Sequence, residues 1–381
     1  MKVVTAIDSF KGSLTSLEAG HGVETGFKRV DSAIEVNVRP LADGGEGTVD
    51  ALTEGMHGDK VYVQVTGPLG DKVNCPYGII AESQTAIIEM SGAAGITLIP
   101  RNQLDPMKAT TYGVGEVIKD AIKRGCRRFL IGIGGSATND GGVGMLMALG
   151  YDFLDAQGQP IALGAQGLKD LDHIETSHVL PALQECSFKI ACDVTNPLCG
   201  AQGASAIYGP QKGATSAQVL EMDGWLAHYA KCAQALDDTI DATYPGTGAA
   251  GGLGFAFKSF LQGELVSGIS MVLEETKLED AIKEADLVIT GEGRLDGQTA
   301  MGKAPIGVAQ LAKKYDKPVI AFAGCVTKDA TLCNKHGIDA FFPIMRKATT
   351  LDEAMNHDNA LNNLADTAEQ VMRLIMMKGT K

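Results

Sequence analysis

Residues 128–150, RFLIGIGGSATNDGGVGMLMALG, narrow the folds open to this chain more than any other stretch. They begin with an apolar run, Phe129 to Ile133, of buried-strand length. A glycine-dense polar turn follows through Gly134, Gly135, Ser136, Ala137, Thr138, Asn139, Asp140, Gly141 and Gly142. Val143, Met145, Leu146, Met147 and Leu149 then suit a short buried helix stopped by Gly150. Strand, glycine turn and helix start in this order gather backbone N–H groups at the positive end of a helix, a place that suits an anion, above all phosphate. Glycine serves such a turn because it accepts φ > 0 and keeps side chains away from the ligand. Taken alone, the segment is equally an ordinary tight turn between strand and helix. Three further loops that mix acids with glycine favour a site.

The first of these follows residues 2–7, a mostly apolar, β-branched strand that delivers Asp8, Ser9, Lys11, Gly12 and Ser13 into a loop. Ser13 or Ser16 is placed to cap the next helix, with Leu17, Ala19, Val23 and Phe27 as its apolar stripe. A second strand over 34–38 ends in RPLADGGEGT, which holds Asp43, Gly44, Gly45 and Glu46, and a helix over 48–53 follows. Both polar loops therefore stand at strand C-termini, where open α/β sheets hold ligands. Strands over 60–66, 73–80 and 85–90, joined by GPLGDK and AESQ, read as an antiparallel meander.

Alternating helix and strand return from residue 105, with a helix over 115–124 and a strand over 189–192 that empties into Asp193, Thr195 and Asn196. Helical periodicity runs over 216–238, and a second glycine turn, Gly246 to Gly254, leads into another helix. A strand over 286–290 ends in GEGRLDGQT; a helix over 305–315, a strand over 318–323 and a helix over 366–376 close the chain. The meander lies between two α/β stretches. The expected organisation is α/β in two domains: a discontinuous one, residues 1–60 with 285–381, and an inserted mixed α/β domain, residues 61–284.

A chain of 381 residues has room for two or three domains at about 150 residues each. Its net charge of −13, without a basic block, argues against nucleic acid or an anionic membrane surface as partner but leaves anionic small ligands open. Eight cysteines without a CxxC pair and seven isolated histidines argue against zinc and for reduced thiols in a cytoplasmic protein. No run is long and apolar enough for a signal peptide or a membrane span, so a soluble, unexported protein is expected. Whether it works as a monomer or a homodimer is left open.

Known phosphate fingerprints fit poorly. Gly132, Gly134 and Ala137 match GxGxxA, with Asp152 about 20 residues on, and this keeps a nicotinamide-dependent oxidoreductase as the alternative enzyme. Gly297, Gly302 and Lys303 match GxxxxGK, but Ala304 replaces the Mg²⁺-binding hydroxyl, Pro305 removes an N–H, and the loop starts several residues past the expected strand. What remains is four loops that pair acids with small donors: Asp8/Lys11, Asp43/Glu46, Asp193/Asn196 and Glu292/Arg294/Asp296. Phosphoryl transfer needs donors for phosphates, carboxylates for Mg²⁺ and for the hydroxyl proton, and a cation on the transferred group.

In order along the chain, DSFKGSL, PLADGGEGT, TGPLG, IIEMSGAAG, GIGGSATNDGG, ACDVTNPL, GPQKGA, GAAGGLG and ITGEGRLDGQTAMGKAP resemble the bacterial glycerate kinases of the type I family. The resemblance covers essentially the whole chain. It implies phosphorylation of D-glycerate by ATP with Mg²⁺. It also implies a flavodoxin-like domain built from both chain ends, an inserted second domain and an active site in the cleft. Many members carry Pro where this chain has Ile7 and an acidic residue where it has Gly12.

Residue chemistry, rather than the resemblance, suggests the roles. Asp193 is expected as the base, with Lys11 and Arg294 engaging the substrate carboxylate or the phosphoryl group; the fork of Arg294 can bind both oxygens of a carboxylate. Asp8, Ser9, Asn196, Gly44 and Gly45 are expected around the substrate. Gly134, Gly135, Ser136, Thr138 and Asn139, with Gly251 and Gly252, are expected to cradle phosphate. Asp43, Glu292 and Asp296 are the Mg²⁺ candidates. Phosphorylation at the 2-hydroxyl leans on the resemblance, and the 3-hydroxyl is the alternative.

Overall fold

The computed structural model describes residues 1–42, 45 and 47–377. Its strands are β1 (Lys2–Ile7), β2 (Glu35–Pro40), β3 (Asp59–Thr66), β4 (Lys72–Ile80), β5 (Thr85–Glu89), β6 (Arg128–Gly132), β7 (Asp152–Leu154), β8 (His173–Glu175), β9 (Ser187–Ala191), β10 (Glu264–Val266), β11 (Leu287–Leu295), β12 (Val319–Val326) and β13 (Ala340–Pro343). Two compact units emerge. The first comprises Met1–Asp43, Asp50–Met56 and Ile269–Lys381, the second Gly44–Val49 and His57–Gly268. The chain thus returns to the first unit at Ile269, ahead of the expected residue 285. The helices Gly268–Glu275 and Leu278–Glu284, unforeseen in the sequence, make that return.

The first unit carries a five-stranded parallel sheet in the order β13-β12-β11-β1-β2. Counted within the unit, this is the flavodoxin-like order 2-1-3-4-5, whose topological switch point lies between β1 and β11. β1 is buried from Val3 to Ile7 because apolar and β-branched residues suit a strand covered on both faces. On one face, Val3, Ile7, Leu287, Ile289 and Phe322 pack with Val23 and Phe27 of helix Ser16–Lys28 and Leu364 and Met372 of helix His357–Met376. The two helices meet closely at Gly26, where a Cβ would lie 2.2 Å from the Ala365 carbonyl oxygen.

The first of these helices is capped by Thr15 through a capping box with Glu18, rather than by Ser13 or Ser16. Ser16 instead ties two strand ends together, donating to the Ile7 carbonyl at 2.7 Å and accepting from the Leu41 N–H at 2.8 Å. That tie fixes where the loop after β1 begins. The strand expected to stop at residue 290 continues to Leu295, paired with β12 as far as Val326. β1 stops at Ile7 opposite Gly291. The last residues of β11 therefore outrun β1 and stand beside the loop that follows it.

The second unit has a six-stranded sheet, order β10-β9-β6-β5-β4-β3, in which β3, β4 and β5 form the antiparallel meander and β5, β6, β9 and β10 are parallel. A separate hairpin pairs β7 with β8. The core includes Phe129, Ile131, Phe188, Ile190, Phe255 and Phe257, with the Phe129 and Phe188 rings stacked at 4.8 Å. The eight cysteines are free thiols. Among the described residues, no helix is long and apolar enough to cross a membrane.

Candidate active site

In the first unit a cavity of about 780 Å³ opens at the carboxyl ends of β1 and β11. Asp8, Ser9 and Lys11 line it from the loop after β1, and Glu292, Arg294 and Asp296 line it from β11 and the turn beyond. Topology makes this meeting: Asp8 continues β1 and donates its N–H to the Gly291 carbonyl at 2.9 Å, one residue before Glu292. The Asp8 carboxylate is 8% exposed and accepts the Ser9 N–H at 2.7 Å. Glu292 is 9% exposed and accepts from the Thr299 hydroxyl. Asp296 accepts the N–H groups of Gln298 at 2.9 Å and Thr299 at 3.2 Å.

The Arg294 side chain is 67% exposed, with its Nε 3.4 Å from Asp296. Arg294 itself reaches into solvent while Asp296 is largely buried, and a long contact to so exposed a guanidinium adds little stability, which leaves it available to a ligand. Gln298 and Lys303 also line the cavity. Lys303 belongs to the GxxxxGK match set aside in the sequence. Because β11 reaches Leu295, that loop follows its strand closely, contrary to expectation; Ala304 and Pro305 still deny it P-loop chemistry.

The other expected residues lie in the second unit, apart from Asp43 and Gly44, which with Glu46 fall outside the described residues. Gly134 and Gly135 are exposed beyond the end of β6, and Ser136 is 8% exposed. Gly45 lies beside them, its Cα 3.6 Å from where a Gly134 Cβ would stand. Among the described residues, the N–H groups of Gly134, Gly135 and Ser136 meet no protein acceptor. Asp193, exposed beyond the end of β9, accepts the Gly268 N–H at 2.9 Å.

Several expectations are corrected here. The helix start expected to take an external anion is occupied by the chain's own Asp140. This carboxylate, 1% exposed, accepts the N–H groups of Gly142 at 3.1 Å, Gly144 at 3.3 Å and Thr111 at 2.8 Å, and the Thr111 hydroxyl at 2.9 Å. Burial nevertheless raises its pKa above the ordinary carboxylate value, because these hydrogen bonds offset only part of the desolvation. Thr138 and Asn139 are fully buried; Asn139 donates to Ser205 at 2.8 Å, while Thr138 Oγ1 and Asn139 Oδ1 have no hydrogen-bond partner among the described residues.

Gly251 and Gly252 pack against that same turn, where a Gly251 Cβ would lie 2.0 Å from the Thr138 carbonyl and a Gly252 Cβ 2.7 Å from the Gly141 Cα. They brace the turn instead of cradling phosphate. Asn196 donates to the Gln202 carbonyl at 2.8 Å and accepts from the Tyr208 hydroxyl at 2.7 Å, which ties its loop together. The dinucleotide fingerprint also fails. Asp152 sits in the β7–β8 hairpin, bonded to His178 at 2.5 Å, not at the end of a neighbouring parallel strand.

Sequence reasoning passed over Lys212 of the GPQKGA string, which is 2% exposed. Its ammonium donates to Ser136 Oγ at 2.7 Å and the Thr138 carbonyl at 2.6 Å, from behind the exposed end of the turn. Desolvation lowers its pKa from 10.5 to about 7, against the opposing pull of Asp140. The folded state therefore binds fewer protons than the unfolded state between about pH 7 and 10.5, and stability rises with pH across that window. The cost of burying the charge is complete below the folded value. Lys212→Met is expected to flatten that rise in urea titrations at stepped pH; an unchanged slope would contradict the assignment.

Comparison with known proteins gives the family. The model of the glycerate kinase family matches residues 3–376. A glycerate kinase of Haemophilus influenzae is 47% identical, over 99% of this chain and 100% of its own. A glycerate 2-kinase of Escherichia coli is 47% identical, over 98% and 99%. A crystal structure from Salmonella typhimurium LT2, of a protein assigned as a glycerate kinase 2, superposes with a TM-score of 0.91 at 45% identity, covering 100% of this chain and 99% of its own. A family match across almost the whole length, joined to a flavodoxin-like sheet with acids and cations at its switch point, places this chain in the glycerate kinase family.

Proposed function

We propose that this chain phosphorylates D-glycerate with ATP, transferring the γ-phosphoryl group to the 2-hydroxyl and giving 2-phospho-D-glycerate. The observation that carries the reading is the switch-point cavity, where Asp8, Glu292 and Asp296 share one wall with Lys11, Arg294 and Lys303. Phosphoryl transfer asks for that mixture, since its transition state is stabilised by positioning and charge more than by covalent chemistry. Arg294 would clamp a carboxylate through both oxygens, and Lys11 would place a point charge on the transferred group. Asp8 and Ser9 would orient substrate hydroxyls.

Glu292 and Asp296 are the residues that would hold Mg²⁺. Among the described residues no three His, Cys, Asp or Glu side chains gather as a cage, and Mg²⁺ bound through nucleotide phosphates needs only one or two carboxylates. Bound there, the ion would neutralise charge on the phosphates. Asp193 is the proposed base for the 2-hydroxyl. The backbone donors of Gly134, Gly135 and Ser136, with Gly45 beside them, are proposed to hold an anionic group of substrate or nucleotide. The free thiols suit a reducing compartment, and we take the enzyme as cytoplasmic.

Coupled detection of ADP tests the reading. Release is expected only when ATP, Mg²⁺ and D-glycerate are all present. ADP formed at the same rate without D-glycerate would contradict it.

A further inference from the structure

Besides the polar residues named above, the switch-point cavity is lined by Ile344, Met345, Leu351, Ala354 and Met355, with Thr349 and Thr350 among them, from the segment after β13 and the short helix Leu351–Met355. Leu351 is 72% exposed, Met345 43% and Met355 39%. Single exposed apolar side chains are ordinary on a protein surface. Three large ones lining one cavity together with charged side chains are the pattern of a ligand site with an apolar body and polar anchors.

The volume points the same way. About 780 Å³ lies in the range of pockets that take drug-sized ligands, and a three-carbon acid fills only a small part of it. Met355 lies close to the loop after β1 at Gly12. The φ of Gly12 is +83°, and a Cβ there would stand 2.5 Å from the Met355 Cε, so the methionine lies across the loop that carries Lys11.

We infer that the wall formed by Met345, Leu351 and Met355 is the subsite for the adenine base of ATP, with the phosphates directed toward Lys11, Arg294 and Lys303. This assignment rests on the reading of the chain as an ATP-dependent kinase. A purine is flat, apolar on its faces and polar at its edge. Thioethers suit its faces because they are polarisable and adapt to an irregular contact. Asn363, on the same cavity, supplies a polar group for the edge. Exposed apolar side chains held open in the free protein become covered when the base is seated, which gives the nucleotide an affinity that its phosphates alone lack.

Leu351→Asp and Met345→Asp test the assignment. Both residues are exposed, so neither change disturbs the core, and a thermal melt checks each fold. Each variant is expected to raise the KM for ATP by about tenfold or more, the loss of roughly one apolar contact's free energy. The inhibition constant of inorganic tripolyphosphate, competing with ATP, and the KM for D-glycerate are expected to stay within about twofold, because neither probe reaches the base site. Active variants with an unchanged KM for ATP, or with tripolyphosphate inhibition weakened as much as ATP binding, would overturn the base site alone. An unaltered enzyme without ATP-dependent turnover would instead overturn the kinase reading and this inference with it.

Discussion

Asp193→Asn is expected to lower kcat by about 10²–10⁴-fold while leaving the KM values for ATP and D-glycerate near those of the parent, the range lost when a positioned general base is removed. The substitution separates chemistry from architecture. Asp193 accepts the Gly268 N–H at 2.9 Å, and the amide oxygen of Asn can accept it equally well. The negative charge and the ability to take a proton are lost. Single-turnover rates with saturating substrates would isolate that step. A variant within about tenfold of the parent would remove Asp193 as the base and shift the role to Asp8, the buried carboxylate in the switch-point cavity.

The second large effect concerns Glu292. Glu292→Gln is expected to lower kcat by on the order of 10²-fold at ordinary Mg²⁺ and to raise the Mg²⁺ concentration needed for half-maximal rate, since a metal-held charge contributes several kcal/mol to such transition states. Gln keeps an oxygen to accept from the Thr299 hydroxyl. Partial recovery at high Mg²⁺, measured at fixed ATP, would distinguish lost metal affinity from lost structure. An unaltered Mg²⁺ dependence with a lower kcat would mean that Glu292 acts by another route and would leave Asp296 as the metal carboxylate.

The strand ends that carry the site were legible because apolar runs such as KVVTAI and RFLIG are bounded by glycine and acids, a local signal. β11 was ended too early for the same local reason. Gly291, Glu292, Gly293 and Arg294 read as loop, yet pairing with β12 holds them extended as far as Leu295. Tertiary pairing overrides propensity there. The helix start near Gly142 also misled. Local rules see an anion site, but Asp140 fills it, held by Thr110 and Thr111 from a distant part of the chain.

Lys212 lies in GPQKGA, one of the strings that carry the resemblance, but its residue chemistry gave no signal of a role. A lysine between glycines reads as a solvated turn, and only the fold reveals that it is buried against Ser136 and Thr138. The apolar lining of the cavity was equally silent, because Met345 and Leu351 sit in a stretch without glycines or a catalytic motif. Acids and glycines mark the chemistry of such a site. They do not mark the surface that receives the rest of the ligand.

The most direct test of the central claim is ³¹P NMR of the product formed from D-glycerate, ATP and Mg²⁺ by the pure protein. A 2-phosphoglycerate resonance growing in step with ADP is the predicted result. A 3-phosphoglycerate resonance would contradict the position of transfer, and the absence of both products would contradict the kinase itself.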